Sequence, residues 1–349
     1  MSFRSSVERA WRDNHLLSVL LELTYRCNLD CAFCYNDMAL KGRPLRLEQY
    51  EVLLDELAAM NVLTVILSGG EPLSHPQFFE IGKMARDRGF VLRIKSNGHA
   101  LSSELARRVR DEIDPFLVEV SLHGATAATH DRLTRVGGSF NQLIANIGEM
   151  RALGLRVKAN STLTRWNENE LQEMFALAAT LGIALQVDPE VKPRDNGDLS
   201  PLSLAPTAEG VSKTNAFFKA RSERLEHFST VPSHADAPVD SRDKHCGAGA
   251  SNLAIDPYGN VLPCVQWRRP IGNLHEASIR ELWNGSQTLA AVRDITVSVR
   301  NEVAQKASVT GAFAFCPGLA ELQTGNPHVP GSIAPQKAHV HLPLLREAS

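Results

Sequence analysis

From Leu16 onward the chain alternates short apolar strand patterns with longer amphipathic helix patterns, and this regularity restricts the fold more than any other feature. Strands are expected at about residues 17–24, 62–68, 91–95, 117–122, 155–162 and 183–188, with helices at about 47–60, 76–89, 102–112, 140–153 and 168–181. Continuous apolar runs such as VLTVIL suit parallel strands covered on both faces. Six βα units in succession predict an α/β parallel barrel, or part of one, rather than an antiparallel sheet. A closed barrel needs about eight.

In a parallel barrel the loops at the carboxyl ends of the strands build the active site. The first such loop lies in LELTYRCNLDCAFCYND and places Cys27, Cys31 and Cys34 in the spacing C-x3-C-x2-C. Three soft ligands on one short loop can cap three corners of an iron–sulfur cube and leave the fourth iron without a protein ligand. An open metal position can bind and activate a small molecule. A disulfide framework fits poorly, because six cysteines in 349 residues are sparse and no secretory signal precedes them. A zinc site would want a fourth Cys or His nearby, and the nearest histidines are His15 and His75.

The composition, 43% hydrophobic and 22% charged, is that of a soluble globular enzyme. A net charge of −2 gives no case for nucleic acid or an anionic membrane surface as a partner. No apolar run reaches the eighteen or so residues of a membrane span, and the opening MSFRSSVERAWRDNH lacks the apolar core of a signal peptide. The expected compartment is the cytoplasm, where thiols stay reduced.

The other strand ends are suggestive. Ser68-Gly69-Gly70-Glu71-Pro72 ends the second strand, and its glycines serve either an ordinary turn or a close backbone approach to a ligand. Lys95-Ser96-Asn97-Gly98 ends the third, where Asn97-Gly98 also makes a turn. On the fourth, alternation puts Glu119, Ser121 and His123 on the lumen face and Val118, Val120 and Leu122 against the helices. A buried carboxylate such as Glu119 needs a partner, either Lys95 or Lys158 or else a substrate. On the fifth strand Lys158 and Asn160 share one face, and Gln186 stands on the sixth. His130-Asp131 reads as a pair holding helix and loop together.

Cys27, Cys31 and Cys34, with Phe33 before the last, resemble the signature of the radical S-adenosylmethionine (SAM) superfamily, and the likeness extends over roughly residues 17–190. It implies a partial (β/α)6 TIM-like barrel and a [4Fe-4S] cluster on the three cysteines. The open iron would chelate SAM, whose reductive cleavage gives a 5′-deoxyadenosyl radical that abstracts a substrate hydrogen. It also implies SAM contacts from Gly69, Gly70, Glu71 and Pro72 at the amino end, from Ser121 at the ribose or carboxylate, and from Phe33, Asn97 and Asn160. Asp is common in the family where His123 stands. Glu119, His123 and Lys158 are weaker candidates for substrate contact.

After Asp188 a linker rich in Pro, Asp, Ser and Gly leads to a helix at about 207–227. NLAIDPYGNVLPC reads as a hairpin turning at Pro257-Tyr258-Gly259-Asn260, and Ser278 as the cap of a short helix SIRELWN. Cys246, Cys264, Ile271-Gly272-Asn273-Leu274 and Glu281-Leu282-Trp283 resemble the SPASM and twitch auxiliary-cluster modules. With Cys316 the chain has three cysteines there, fewer than either pattern carries, and Phe313 stands where a C-x2-C pair would place another. At most one auxiliary [4Fe-4S] cluster is expected, its fourth ligand His245, Asp243, a distant His, water or substrate; otherwise the three are buried thiols. The expected division is an extension 1–15, the barrel 16–190, linker and helix 191–245, the auxiliary module 246–325 and an extended tail 326–349.

The resemblance implies an enzyme acting on a ribosomally made peptide or protein by crosslinking, epimerisation, oxidation or decarboxylation. A reductase or flavodoxin would donate electrons. Because the barrel begins near residue 16, a separate leader-binding protein or the linker would hold the peptide. The alternatives are a radical SAM dehydrogenase or decarboxylase of a small molecule, such as an aminoglycoside precursor or haem intermediate, and a non-catalytic iron–sulfur electron carrier.

Overall fold

A computed structural model describes residues 3–226, 240–310 and 316–329. The six expected strands form as β1 (Ser18–Glu22), β2 (Thr64–Ser68), β3 (Val91–Lys95), β4 (Leu117–Ser121), β5 (Val157–Thr162) and β6 (Ala184–Asp188). Each pairs in parallel with the next, so the sheet runs in chain order from β1 to β6. It stays open at β6, as a partial barrel does.

The helices before and between the strands are α1 (Phe3–Arg12), α2 (Leu47–Ala59), α3 (Phe78–Asp87), α4 (Ser103–Arg108), α5 (Ala127–Thr134), α6 (Ser139–Ala152) and α7 (Leu171–Thr180). In α2 the buried Tyr50, Leu53, Leu54 and Leu57 recur at three- and four-residue steps, which makes one apolar stripe. That stripe and its equivalents cover the outer face of the sheet, where Val65, Leu67, Leu92, Ile94, Val118, Val120 and Ala159 are buried in the same core. Each such Val, Leu or Ile side chain contributes about 1.5–3 kcal/mol.

The inner face differs from the expectation of strands apolar on both sides. From β3 to β5 it carries Arg93, Lys95, Glu119, Ser121, Lys158 and Asn160. Solvent explains this, because β6 is a free edge whose inward Ala184 and Gln186 are exposed.

The C-terminal residues do not stand apart from the barrel. The hairpin strands β7 (Asn252–Ile255) and β8 (Asn260–Leu262) form as expected, but β7 also pairs in parallel with β1 from Ser18↔Asn252 to Leu21↔Ile255. With β9 (Gly272–Asn273) the sheet reaches nine strands. Helix α8 (Ala208–Glu226) precedes this module, and α9 (Ile279–Gly285), capped by Ser278 with Glu281 bonding back, lies within it. The sequence reading missed α10 (Gln287–Thr310) and α11 (Pro317–Thr324). The tail expected at 326–349 lies outside the described residues from 330 onward.

A chain ended after His245 should leave the paired edge of β1 bare, a template for aggregation. Gel filtration is expected to show aggregate; a soluble monomer with native-like circular dichroism would contradict the joint sheet.

Candidate functional site

The first two strand-end loops are locked together at the mouth of the barrel. Gly70 N–H donates to Thr24 O at 2.7 Å and Glu71 N–H to Arg26 O at 2.9 Å, so the Gly-Gly-Glu segment runs along the entry to the cysteine loop. The glycines are needed for that approach. Gly69 has φ +135°, and a Cβ on Gly70 would stand 2.6 Å from Tyr25 O. Glu71 is buried and ties the second loop to the third: its carboxylate accepts from Ser96 Oγ at 2.9 and 3.0 Å, Asn97 N–H at 2.8 Å and Leu73 N–H at 3.2 Å. Burial pushes its carboxyl up to about 7, against those bonds. Pro72 opens a short 3-10 turn to Ser74. Asn97 Nδ2 donates to Asn28 Oδ1 at 2.7 Å and approaches Cys27 Sγ at 3.7 Å, which brings the third loop onto the cysteine loop.

Cys27, Cys31 and Cys34 are half-buried free thiols. Burial pushes all three up, Cys31 to about 12, and each of Cys31 and Cys34 is pushed further by a neighbouring cysteine of the triple. Backbone amides oppose this, with Leu29 N–H on Cys27 Sγ at 3.5 Å and Asn36 N–H on Cys34. Cys246, Cys264 and Cys316 repeat the arrangement. Burial pushes Cys246 up to about 11 and Cys264 to about 12, Cys316 acts on both, and amides of Ala248, Gln266, Trp267, Gly318 and Leu319 bond the sulfurs.

These sites suit iron–sulfur clusters. Among the described residues no three His, Cys, Asp or Glu side chains converge on a single metal ion, which would need its sulfurs about 2.3 Å from one centre. Each triple gathers three thiols in one place, the soft donor set that iron–sulfur clusters take. Amide bonds to sulfur are also the usual outer support of such clusters. Beside the first triple, Asn36 is buried, donates to Gly69 O at 3.3 Å, and has an Oδ1 without a donor among the described residues. The ammonium of an amino acid such as SAM is a donor of the right kind.

Of the expected fourth ligands, Asp243 is taken, since its carboxylate accepts from Arg12 at 3.1 and 3.0 Å and from Asp240 N–H at 3.1 Å. The charges acting on Cys316 are Glu190 and Lys192.

Phe33 packs edge-on against His123, ring centroids 4.7 Å apart, and His123 stacks on His130. His123 is buried: its N–H donates to His130 Nδ1 at 3.1 Å and its O accepts from Asn167 at 3.0 Å. Burial holds His123 down to about 3 and His130 to about 4. The neutral His123 ring backs Phe33. Asp131 caps the start of α6 through Gly138 N–H, Phe140 N–H and Ser139 Oγ.

In the lumen, Glu119 pairs with Arg93 rather than with Lys95 or Lys158, and Asn160 Nδ2 donates to its other oxygen at 2.9 Å. Asn160 thus has a partner of its own, while half-buried Ser121 stands beside it in register. Lys158 bonds the amide oxygen of Gln186.

Sequence spacing missed the network beneath the cysteine loop. Arg268 donates to both oxygens of Glu22, at 2.8 and 3.0 Å, and to Asp195 at 2.6 Å, while Tyr25 donates to Glu22 at 2.9 Å. Next to Asp195, Arg194 donates to Cys34 O at 3.1 Å and Asp195 N–H to Tyr35 O at 2.8 Å. The only local signal was a charged residue, Glu22, in an apolar strand.

Residues 21–178 match the family model of the radical SAM superfamily and residues 246–307 that of the SPASM iron–sulfur cluster-binding domain. A PqqA peptide cyclase from Ruegeria pomeroyi is 31% identical over 292 residues, covering 79% of this chain and 76% of the relative. The mycofactocin maturase MftC of Mycobacterium tuberculosis (strain ATCC 25618 / H37Rv) is 30% identical over 286 residues, covering 78% and 71%. An AdoMet-dependent heme synthase from Methanosarcina barkeri is 27% identical over 292 residues, covering 78% and 83%. Among solved structures, Streptococcus suis SuiB bound to precursor peptide SuiA superposes with a TM-score of 0.65 at 14% identity, covering 83% of this chain and 70% of SuiB.

Arg268→Met should strand Glu22, 1% exposed, as an unpaired buried charge, at a cost of about 3–5 kcal/mol. Urea unfolding measures it, and a change below about 1 kcal/mol would contradict the network's role. Acid tests the histidines. Their folded pKa values lie below the ordinary 6.5, so the unfolded chain takes protons first and stability is lost as pH falls below that value. For His123 alone the loss at pH 5 is about 2 kcal/mol. The urea midpoint should drop between pH 7 and 5, and His123→Phe should blunt the drop; an equal drop in the variant would contradict it.

Proposed function

The chain belongs to the radical SAM superfamily and carries a SPASM-type iron–sulfur module, and from that premise we propose that it modifies a ribosomally made peptide at the mouth of its barrel. Cys27, Cys31 and Cys34 would hold the first [4Fe-4S] cluster and Cys246, Cys264 and Cys316 an auxiliary one. With SAM, the first supplies a 5′-deoxyadenosyl radical to abstract a substrate hydrogen.

The protein's part is placement. Asn36 Oδ1 and the Gly69–Pro72 loop receive the amino end of SAM, with Phe33, Asn97, Ser121 and Asn160 lining the rest of its seat. Buried Glu71 does not face SAM directly; it holds the Ser96-Asn97 backbone against the cysteine loop. Phe33 is held in place by the neutral His123 ring. The observation that supports the reading is the pair of sulfur triples, each with backbone amides on its sulfurs, in one sheet where β1 pairs with β7. The name of one relative, a PqqA peptide cyclase, and the bound precursor peptide of the SuiB structure support a peptide as substrate.

An electron donor, a reductase or flavodoxin, is required by the reductive step, and a separate leader-binding protein or the segment 191–245 would present the peptide. The reducing cytoplasm is the compartment proposed; among the described residues no helix is long and apolar enough to cross a membrane. A second reading, a small-molecule decarboxylase, is favoured by the similarity to the heme synthase.

Anaerobically reconstituted protein with dithionite and SAM should form 5′-deoxyadenosine, and the Cys27/Cys31/Cys34→Ala variant should form none. A mass change in a peptide encoded beside the gene supports the first reading. Turnover of a haem precursor with no peptide product would favour the second, and no 5′-deoxyadenosine from the wild type would contradict both.

A further inference from the structure

The lumen holds more cations than its carboxylates neutralise. Arg93 and Lys95 of β3, Lys158 of β5 and Lys192 beyond β6 face Glu119 of β4, Asp188 at the end of β6 and Glu190. The carboxylates are already engaged. Glu119 gives one oxygen to Arg93 and the other to Asn160. Asp188 accepts from Lys192 Nζ at 3.0 Å and from Glu190 N–H at 3.0 Å, while Glu190 acts on Lys192 and on Cys316.

That leaves two lysines which share the field of Glu119 but form no ion pair with a carboxylate among the described residues. Lys158 reaches only the amide oxygen of Gln186, and among the described residues no hydrogen bond engages the Lys95 ammonium. They flank Glu119 in one row of the sheet, Lys95↔Glu119↔Lys158. Burial holds both below the ordinary lysine range against the pull of the shared Glu119, with the Arg93 guanidinium adding to the lowering. Arg93 Nε also lacks an acceptor. Donors outnumber acceptors on this face, and a bound anion would relieve the excess.

We propose that Lys95 and Lys158 form a seat for a carboxylate of the substrate, supplied by an acidic side chain or by the carboxyl terminus of the peptide. The reading deepens the peptide proposal and rests on it. Ser121 and Asn160 form the next inward row toward the mouth, about 6.6 Å nearer to it at about 3.3 Å per residue. The seat therefore lies below the level proposed for SAM, where the deepest part of a substrate would reach. The open edge at β6, with Gln186 exposed, gives entry.

The test uses reconstituted holoenzyme with SAM and three dye-labelled hexapeptide pools, read by fluorescence anisotropy. One pool has acidic side chains and amidated ends, one neutral side chains and free carboxyl ends, and one neither. At least one carboxylate pool should bind roughly tenfold tighter than the third, the gain of a charge-assisted hydrogen bond, and comparing the first two identifies the source. Lys95→Met with Lys158→Met should erase the preference and leave SAM affinity unchanged, whereas Lys95→Arg with Lys158→Arg should keep it.

Equal binding of all pools, or a preference that survives the Met pair, overturns the proposal. So does a parallel loss of SAM affinity, which would assign the lysines to SAM's own carboxylate. Should the Met pair not fold, acetylation of wild type decides. The tighter pool must protect Lys95 and Lys158, and absence of protection overturns the seat. If no pool binds, the peptide reading fails by itself, and protection of the same lysines by glutarate then upholds or overturns the carboxylate seat.

Discussion

The guanidinium of Arg268 joins parts of the chain that meet nowhere else in sequence. It holds Glu22 at the end of β1, five residues before Cys27, and Asp195 in the segment after β6, and it lies four residues after Cys264. Removing these charges from water is expensive, and a buried ion pair adds little net stability over apolar packing. Its directional bonds instead fix one geometry. The β1–β7 pairing joins the barrel to the module that carries the second cysteine set, and Arg268, with Arg194 on Cys34 O, ties the segment after β6 to the cysteine loop.

Around that joint the site is built from close backbone contacts. Gly69 and Gly70 first look like a surface prepared for a ligand, yet they are needed because Thr24 and Tyr25 pass within reach of any side chain there. Glu71 likewise spends its carboxylate on Ser96 and Asn97. Among the polar side chains here, the Asn36 oxygen is left without a donor among the described residues. Preorganisation of this kind, held by buried polar bonds, keeps reacting groups placed without reorganisation.

The parts of the structure legible in sequence were those with local causes. All six barrel strands followed from apolar runs, the 252–262 hairpin from its Pro-Tyr-Gly-Asn turn, and α9 from Ser278 with Glu281. Helix α10 was missed because TLAAVRDITVSV is rich in β-branched residues, which favour strands; its buried Leu289, Val292, Thr296 and Val299 keep helical spacing, and Val292 packs with Ala248 and Trp267 of the auxiliary module. The Glu22–Arg268 pair spans 246 residues, so no spacing rule could find it. Alternation correctly put Glu119 in the lumen, but only the fold shows that Arg93, not a lysine, claims it.

The central proposal is that the chain carries two clusters, one on Cys27, Cys31 and Cys34 that binds SAM and one on Cys246, Cys264 and Cys316 that does not. Mössbauer spectroscopy of protein reconstituted with 57Fe, recorded with and without SAM, tests it most directly. The account predicts about eight irons, with SAM shifting only signals that vanish in the Cys27/Cys31/Cys34→Ala variant while about four irons on the second triple persist unshifted. Loss of all iron in that variant, or a SAM response from the irons that remain, would contradict it.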